Sequence, residues 1–244
     1  SYTALEVDDG LSLALKGKNR NGFAITNPKR MKNVAGNKFL RAAANSHDHD
    51  EDNVAYLYKT LIDTQSSADY LFEKAKLHTS TISYPMNPLG RDLKQISELI
   101  TADTATKVYY AGMSGFDTHA NQKGTQQRLL KQYADSVSAF VTDLQQNNLL
   151  DDVLIMTFSE FGRRAKQNGS NGTDHGTANN VFMIGGGLQK PGFYNDGPNL
   201  GGLINEDLVY DIDFRRIYAN VLDQWLEGDS KGILSGQFQG LGLV

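Results

Sequence analysis

The 244-residue chain contains no cysteine. Disulfides, thiolate catalysis and cysteine-ligated zinc are therefore excluded, while the absence alone fits many compartments. No apolar run approaches the roughly 20 residues a membrane helix needs; the longest are short pieces such as Val153–Phe158. Basic runs are missing too. Lys and Arg number 24 against 28 Asp and Glu, and the net charge of -4 gives no electrostatic footprint for nucleic acid. The opening residues, SYTALEVDDG, are neither basic nor followed by an apolar core. No signal peptide is visible, so the chain is expected to be cytoplasmic or already processed. What is present is an ordinary globular composition, 39% hydrophobic with a mean hydropathy of -0.44. The length suffices for one domain with a sizeable core or for two small ones.

The first third is irregular. Leu11–Leu15 and Gly22–Ile25 read as short strands around the polar loop KGKNRN. Pro28 is expected to open a short helix through Ala43, followed by the acidic loop NSHDHDEDN. Residues 54–77 carry Val54, Leu57, Tyr58, Leu61 and Ile62 at helical spacing, and a further helix is expected from about Arg91 to Ala102. Then the pattern changes. KVYYAGM (107–113) and DDVLIMTF (151–158) are nearly continuous apolar runs of the kind a doubly covered strand shows. Between them, 122–146 is amphipathic, with Leu129, Leu130, Tyr133, Val137, Phe140, Val141 and Leu144 on one side. This strand–helix–strand order predicts an α/β sheet with a right-handed crossover. Residues 159–179 lack helical period, so the strand Asn180–Ile184 is expected to return antiparallel. A glycine-rich loop follows, then a final helix, about Asp213–Leu226, burying Phe214, Ile217, Tyr218, Val221, Leu222 and Trp225. The expected organisation is one domain, with strands and a helical lobe over 1–103 and an α/β core over 104–244.

Three segments carry candidate chemistry. In GFDTHANQ, Asp117 and His119 are two apart, so an extended backbone points both the same way. An Asp oxygen and a His nitrogen converging at a strand end suit zinc or manganese; alternatively Asp117 caps the next helix and His119 packs. In SEFGRR, Glu160 leaves the strand where open α/β sheets place ligands; alternatively it is a surface carboxylate paired with Arg163 or Arg164. Arg163 has the fork to hold a phosphate or sulfate oxyanion, and Ser159 offers a hydroxyl with no base visible in sequence. In NGTDHGTANN, Asp174 and His175 sit between glycines that free the backbone to bring a ligand pair close to an ion, or they form an exposed turn. Two of only five histidines fall in these segments, each beside an aspartate. Three carboxylates and two imidazoles at one predicted edge support metal-assisted hydrolysis. The rival cluster His47–Asp52 (HDHDED) reads as a solvated loop or a second cation site. His78 favours a helix dipole. Asn168-Gly-Ser and Asn171-Gly-Thr match the glycosylation pattern.

Taken in order, GFDTHANQ, VLIMTFSEFGRR, NGTDHGTAN with VFMIGGG, and DIDFRRIYANVLDQWL closely resemble a bacterial family known only as a domain of unknown function, number fifteen hundred and one. Its members are typically exported by the twin-arginine route, which implies a periplasmic or exported protein. The resemblance runs from about Leu11 to the end and groups the chain with the alkaline phosphatase, sulfatase and cofactor-independent phosphoglycerate mutase superfamily. It implies an alkaline-phosphatase-like, mostly parallel sheet flanked by helices. Asp117 and His119 match the segment giving an aspartate and a histidine to one metal, although the superfamily spacing there is usually wider. His175 matches the last histidine of that site. Ser159-Glu160 stands where an Asp-His pair normally ends the strand, so the second metal site is expected to be altered or missing. Family members begin with a glycine-rich GGNDGLN-like segment that this chain lacks, so the nucleophile and at least one ligand are expected outside it.

The leading expectation is a metal-dependent hydrolase of phosphate or sulfate esters. Its metal ligands are Asp117, His119, Glu160, Asp174 and His175, with Glu160 and Arg163 in catalytic roles, and its ion is zinc, manganese or calcium. Its substrate is a small or polymeric ester, with no nucleic acid and no membrane insertion. Against it stand a non-catalytic binding or scaffold protein on the same fold, and a phosphomutase-like isomerase.

Overall fold

A computed structural model of the chain describes residues 4–17, 21–28, 32–33, 62 and 66–244. The chain folds as two compact units, one of Ser1–Ser114 with Leu130–Asn147, the other of Gly115–Leu129 with Asn148–Val244. The architecture is mixed α/β, with a small parallel sheet and five helices among the described residues.

The parallel sheet belongs to the first unit. Its central strand is β1 (Ala4–Glu6), flanked by β2 (Phe23–Ala24) and β3 (Val108–Tyr110), both parallel to it. Leu5, Val7, Phe23 and Ile25 are buried and form the apolar centre of this sheet. Two hydrogen bonds lengthen the ladder beyond the strands, Val7 N–H to the Tyr110 carbonyl (2.9 Å) and Ile25 N–H to the Glu6 carbonyl (2.8 Å). Buried Glu6 accepts from the Ser12 backbone N–H at 2.7 Å, so the chain turns there. Leu11–Leu15, expected to be a strand, is therefore not one: Leu13–Leu15 is a single 3-10 turn, and Leu13 is exposed.

Helix α1 covers residues 66–75. Helix α2 (Pro88–Thr101) starts three residues earlier than periodicity suggested, because Pro88 occupies a first-turn position and the Asn87 carboxamide oxygen caps the Gly90 N–H at 2.8 Å. Helix α3 (Gln122–Gln146) is amphipathic as expected, burying Val137, Phe140 and Leu144 in this unit. It also buries a charge. Asp143 accepts from the Tyr84 hydroxyl (2.8 Å), the Ser97 hydroxyl (2.7 Å) and the Asn147 amide (3.2 Å).

In the second unit, β4 (Leu154–Thr157) pairs antiparallel with β7 (Phe182–Gly185), the return expected from the helix-free connection. The connection folds into a second antiparallel pair, β5 (Gly162–Arg163) with β6 (His175–Gly176). Helix α4 (Phe214–Asn220), capped by Asp213 on the Arg215 N–H, widens into a π-helical turn over Val221–Trp225. Its first residue, Phe214, is exposed rather than buried. Helix α5 is Ser230–Ile233.

Two expectations need correction. The runs 107–113 and 151–158 do not form one crossover sheet. β3 takes β1 as its partner, a three-residue segment ending in Glu6 that did not read as a strand, while β4 pairs with β7. Among the described residues, a single, mostly parallel sheet is likewise replaced by one three-stranded parallel sheet and two antiparallel pairs. The helix from Pro28 to Ala43, the front of the 54–77 helix and the His47–Asp52 cluster fall largely or wholly outside the described residues. None of the described helices is long and apolar enough to cross a membrane.

Candidate metal centre

All the residues of the candidate centre belong to the second unit. Between β3 and α3 the chain runs without regular structure through Phe116–His119. The two-residue spacing of Asp117 and His119 brings both side chains to one place, as an extended segment allows. His175 arrives from β6, where it stands opposite Arg163 in the β5–β6 register.

The three side chains meet closely. Asp117 Oδ1 lies 2.7 Å from His175 Nε2 and 2.9 Å from His119 Nε2, and the two Nε2 atoms are 3.3 Å apart. Each residue presents one donor atom to a common point, and all three are exposed. An ion bonded at about 2.1 Å to each of three donors separates them by about 3.0 to 3.4 Å. The observed triangle is that size or slightly smaller, so an ion fits with small outward shifts.

What surrounds the triad fixes its parts. Phe161 stacks on His175, with centroids 3.8 Å apart and rings 8° from parallel. Arg163 donates to the backbone carbonyls of Thr173 (2.6 Å) and Phe116, and lies 3.4 Å from Asp117 Oδ1. It ties the segment carrying Asp117 to the one carrying His175. The loop 164–174 is docked the same way. Ser170 and Asn171 offer carbonyls to the N–H groups of Asn121 and Gln122 at the start of α3 (3.0 and 2.9 Å). Gly172 packs so near His119 that a Cβ there would fall 2.2 Å from the His119 carbonyl carbon; only glycine allows that approach. The Asp117 carboxyl is held below its ordinary value, first by the hydrogen bond from His175 and then by the charges of His119, His175 and Arg163. Asp174 is lowered too, first by the Asn168 amide and then by His119.

Not every expected ligand joins the cluster. Asp174 Oδ1 sits 3.3 Å from His119 Nδ1, on the side of that ring away from the triad. Glu160 is exposed and is not one of the converging residues. In the extended stretch into β5, Phe161 and Arg163 share a side by the two-residue alternation and both serve the site, so Glu160 falls out of step. Ser159 spends its hydroxyl on the Phe161 carbonyl at 3.0 Å. Arg163, expected to hold an oxyanion, instead directs its guanidinium at backbone carbonyls. Sequence reasoning did not single out Phe161, and it took Asn168 only as a glycosylation match. Counting by twos back from Arg163 would have found the first, and nothing in the sequence marks the second.

A mixed α/β protein with two imidazoles and a carboxylate converging on one exposed point is the class these features define. The chain belongs to the family described as "Protein of unknown function (DUF1501)", whose match spans residues 13–225. No curated protein and no solved structure matches the chain. This corrects the resemblance stated from the motifs. The match establishes a family of unknown function, not the alkaline phosphatase/sulfatase framing, and that framing is set aside.

Proposed function

We propose that the chain binds one divalent cation at Asp117, His119 and His175 and hydrolyses phosphate or sulfate esters. The observation that carries the reading is the triangle of Asp117 Oδ1 and the two Nε2 atoms, with edges of 2.7, 2.9 and 3.3 Å. The 2.7 and 2.9 Å edges are distances at which an imidazole N–H also bonds a carboxylate, and a divalent ion can take the place of those protons by sharing its charge among all three atoms. Two nitrogens and one oxygen suit zinc or manganese better than calcium, which takes six to eight oxygens. Three protein ligands with an open face are the pattern of a catalytic rather than a closed structural site. A bound ion there would polarise an ester oxygen and lower the pKa of a bound water.

The chain's own residues do the positioning. Asp117, His119 and His175 supply the donors, Arg163 holds the two donor segments together, and Phe161 fixes the plane of His175. The periplasmic setting is part of the proposal and rests on the motif resemblance alone. One observation favours a second reading, a non-catalytic metal-dependent binding protein. Glu160 stands outside the cluster, and the Arg163 guanidinium is already engaged by two backbone carbonyls and by Asp117, so the expected oxyanion holder is occupied.

Elemental analysis of the purified chain beside His175→Ala, with turnover of p-nitrophenyl phosphate and p-nitrophenyl sulfate, separates these readings. Stoichiometric zinc or manganese, with hydrolysis of either ester lost along with the metal in the variant, supports the hydrolase. Metal without turnover leaves the binding protein. No metal after reconstitution sinks both.

A further inference from the structure

An imidazole can give Nε2 to a cation only when its remaining proton is on Nδ1, and the partner of Nδ1 decides which tautomer is present. His119 turns Nε2 to the triad and Nδ1 to Asp174 Oδ1 at 3.3 Å. A carboxylate there accepts the Nδ1 proton; Asp117 Oδ1 competes for it from the Nε2 side at 2.9 Å, so the Asp174 contact biases the ring toward the form whose Nε2 lone pair faces Asp117 and His175. Asp174 is itself held in place. The Asn168 amide nitrogen donates to Asp174 Oδ1 (3.3 Å) and to the His119 carbonyl (3.0 Å). The Asn168 amide orientation is fixed in turn, because its oxygen accepts the N–H groups of Ser170 (2.9 Å) and Gly172 (3.1 Å). Asn168 thus grips both members of the His119–Asp174 pair from a loop whose carbonyls are bonded to the start of α3.

We propose that Asp174 is a positioning residue of the metal site. It is not a ligand; it biases His119 toward the Nδ1–H tautomer through a chain that ends at Asn168. The proposal rests on the metal-binding reading above and names the role of a residue which that reading leaves outside the donor set. Both side chains are about half exposed, at 49% for His119 and 59% for Asp174, so charge attraction is screened and the effect works through tautomer and ring orientation. Loss of such an outer partner typically weakens metal affinity 10- to 100-fold.

The test uses the full chain, Asp174→Ala and Asp174→Asn, with His175→Ala as the ligand control. Zinc affinity is read by competition with a chromophoric chelator, and the imidazole tautomers by nitrogen NMR of the metal-free proteins. The expected result is one zinc per chain in Asp174→Ala, bound about 10- to 100-fold more weakly, with the Nδ1–H share of His119 reduced toward the Nε2–H form that Asp117 favours. Asp174→Asn, whose amide oxygen still accepts from Nδ1, recovers most of the affinity. Asp174→Ala losing zinc as completely as His175→Ala would make Asp174 a direct ligand and overturn the proposal. So would wild-type affinity and an unchanged tautomer. Should the wild-type chain bind no zinc, the functional reading fails separately. The tautomer comparison then decides: a reduced Nδ1–H share in Asp174→Ala sustains the positioning role, and no change overturns it.

Discussion

Asp143 and Asp117 are the same side chain in opposite settings, one in each unit. Asp143 is 2% exposed and is ringed by neutral donors, the Tyr84 and Ser97 hydroxyls and the Asn147 amide. Asp117 has a 59% exposed side chain and faces two imidazoles and a guanidinium. A buried carboxylate with its lone pairs filled by hydroxyls and an amide organises a core, because buried polar groups need partners and it supplies one to each of three elements of chain. An exposed carboxylate held close to two imidazole nitrogens has little to do for stability, since solvent screens it. Its geometry makes sense when a cation is the missing partner. On the proposed function, burial and partner type together separate a structural aspartate from a candidate ligand, where the residue name does not.

The comparison can be broken most severely at Asp143. Asp143→Ala leaves the Tyr84 and Ser97 hydroxyls without the carboxylate they share and should cost about 3 kcal/mol, seen as a lower urea midpoint at constant slope. A midpoint equal to wild type would mean the network is ornamental. Next, Asp117→Asn and His119→Ala should abolish stoichiometric zinc binding by elemental analysis while the urea midpoint of the metal-free chain stays put. A drop in that midpoint would make Asp117 a structural residue like Asp143. Phe161→Leu keeps bulk but removes the ring stacked on His175, and zinc affinity should fall several-fold with one site per chain retained. Complete retention of affinity would show that the β5–β6 ladder alone orients His175.

A third aspartate sharpens the contrast with the smallest effect. Asp92 on α2 is half-buried, and burial pushes its carboxyl up from 3.8 to about 6, with Arg91 partly opposing and Asp8 adding to the rise. Because the folded value is the higher one, the native state holds the proton more tightly. Its contribution to stability is full below about pH 4 and is lost as pH rises through about 6. Asp92→Asn should therefore match wild type near pH 4 and exceed it by about 1 kcal/mol at pH 7, the figure being reduced for its partial exposure. A gap that is constant with pH would mean the group does not titrate there.

The sequence made the centre more legible than the sheet that precedes it. Asp117 and His119 announced themselves by a spacing of two, and His175 by its glycine neighbours, because ligating residues are few and chemically distinct. Glu160 misled for the opposite reason: it is one residue out of step with Phe161 and Arg163, and alternation in a two-residue strand is too short to read. The antiparallel return of β7 followed from a connection with no helical period. The parallel sheet did not follow, since β1 has only three residues and ends in a charged one, and its identity as a strand depends on partners as distant in sequence as Val108–Tyr110. Asp174 carried the right chemistry in the wrong place, and only the position of the His119 ring shows which nitrogen it meets.

Helix α3 belongs to both units, its residues up to Leu129 to one and those from Leu130 on to the other. No single scission of the gene can therefore separate the two units intact. A piece beginning at Gly115 keeps every candidate ligand, yet it carries the later turns of α3 with Val137, Phe140 and Leu144 stripped of the unit in which they are buried. Dissecting the chain into independently expressed halves would need those apolar positions rewritten first.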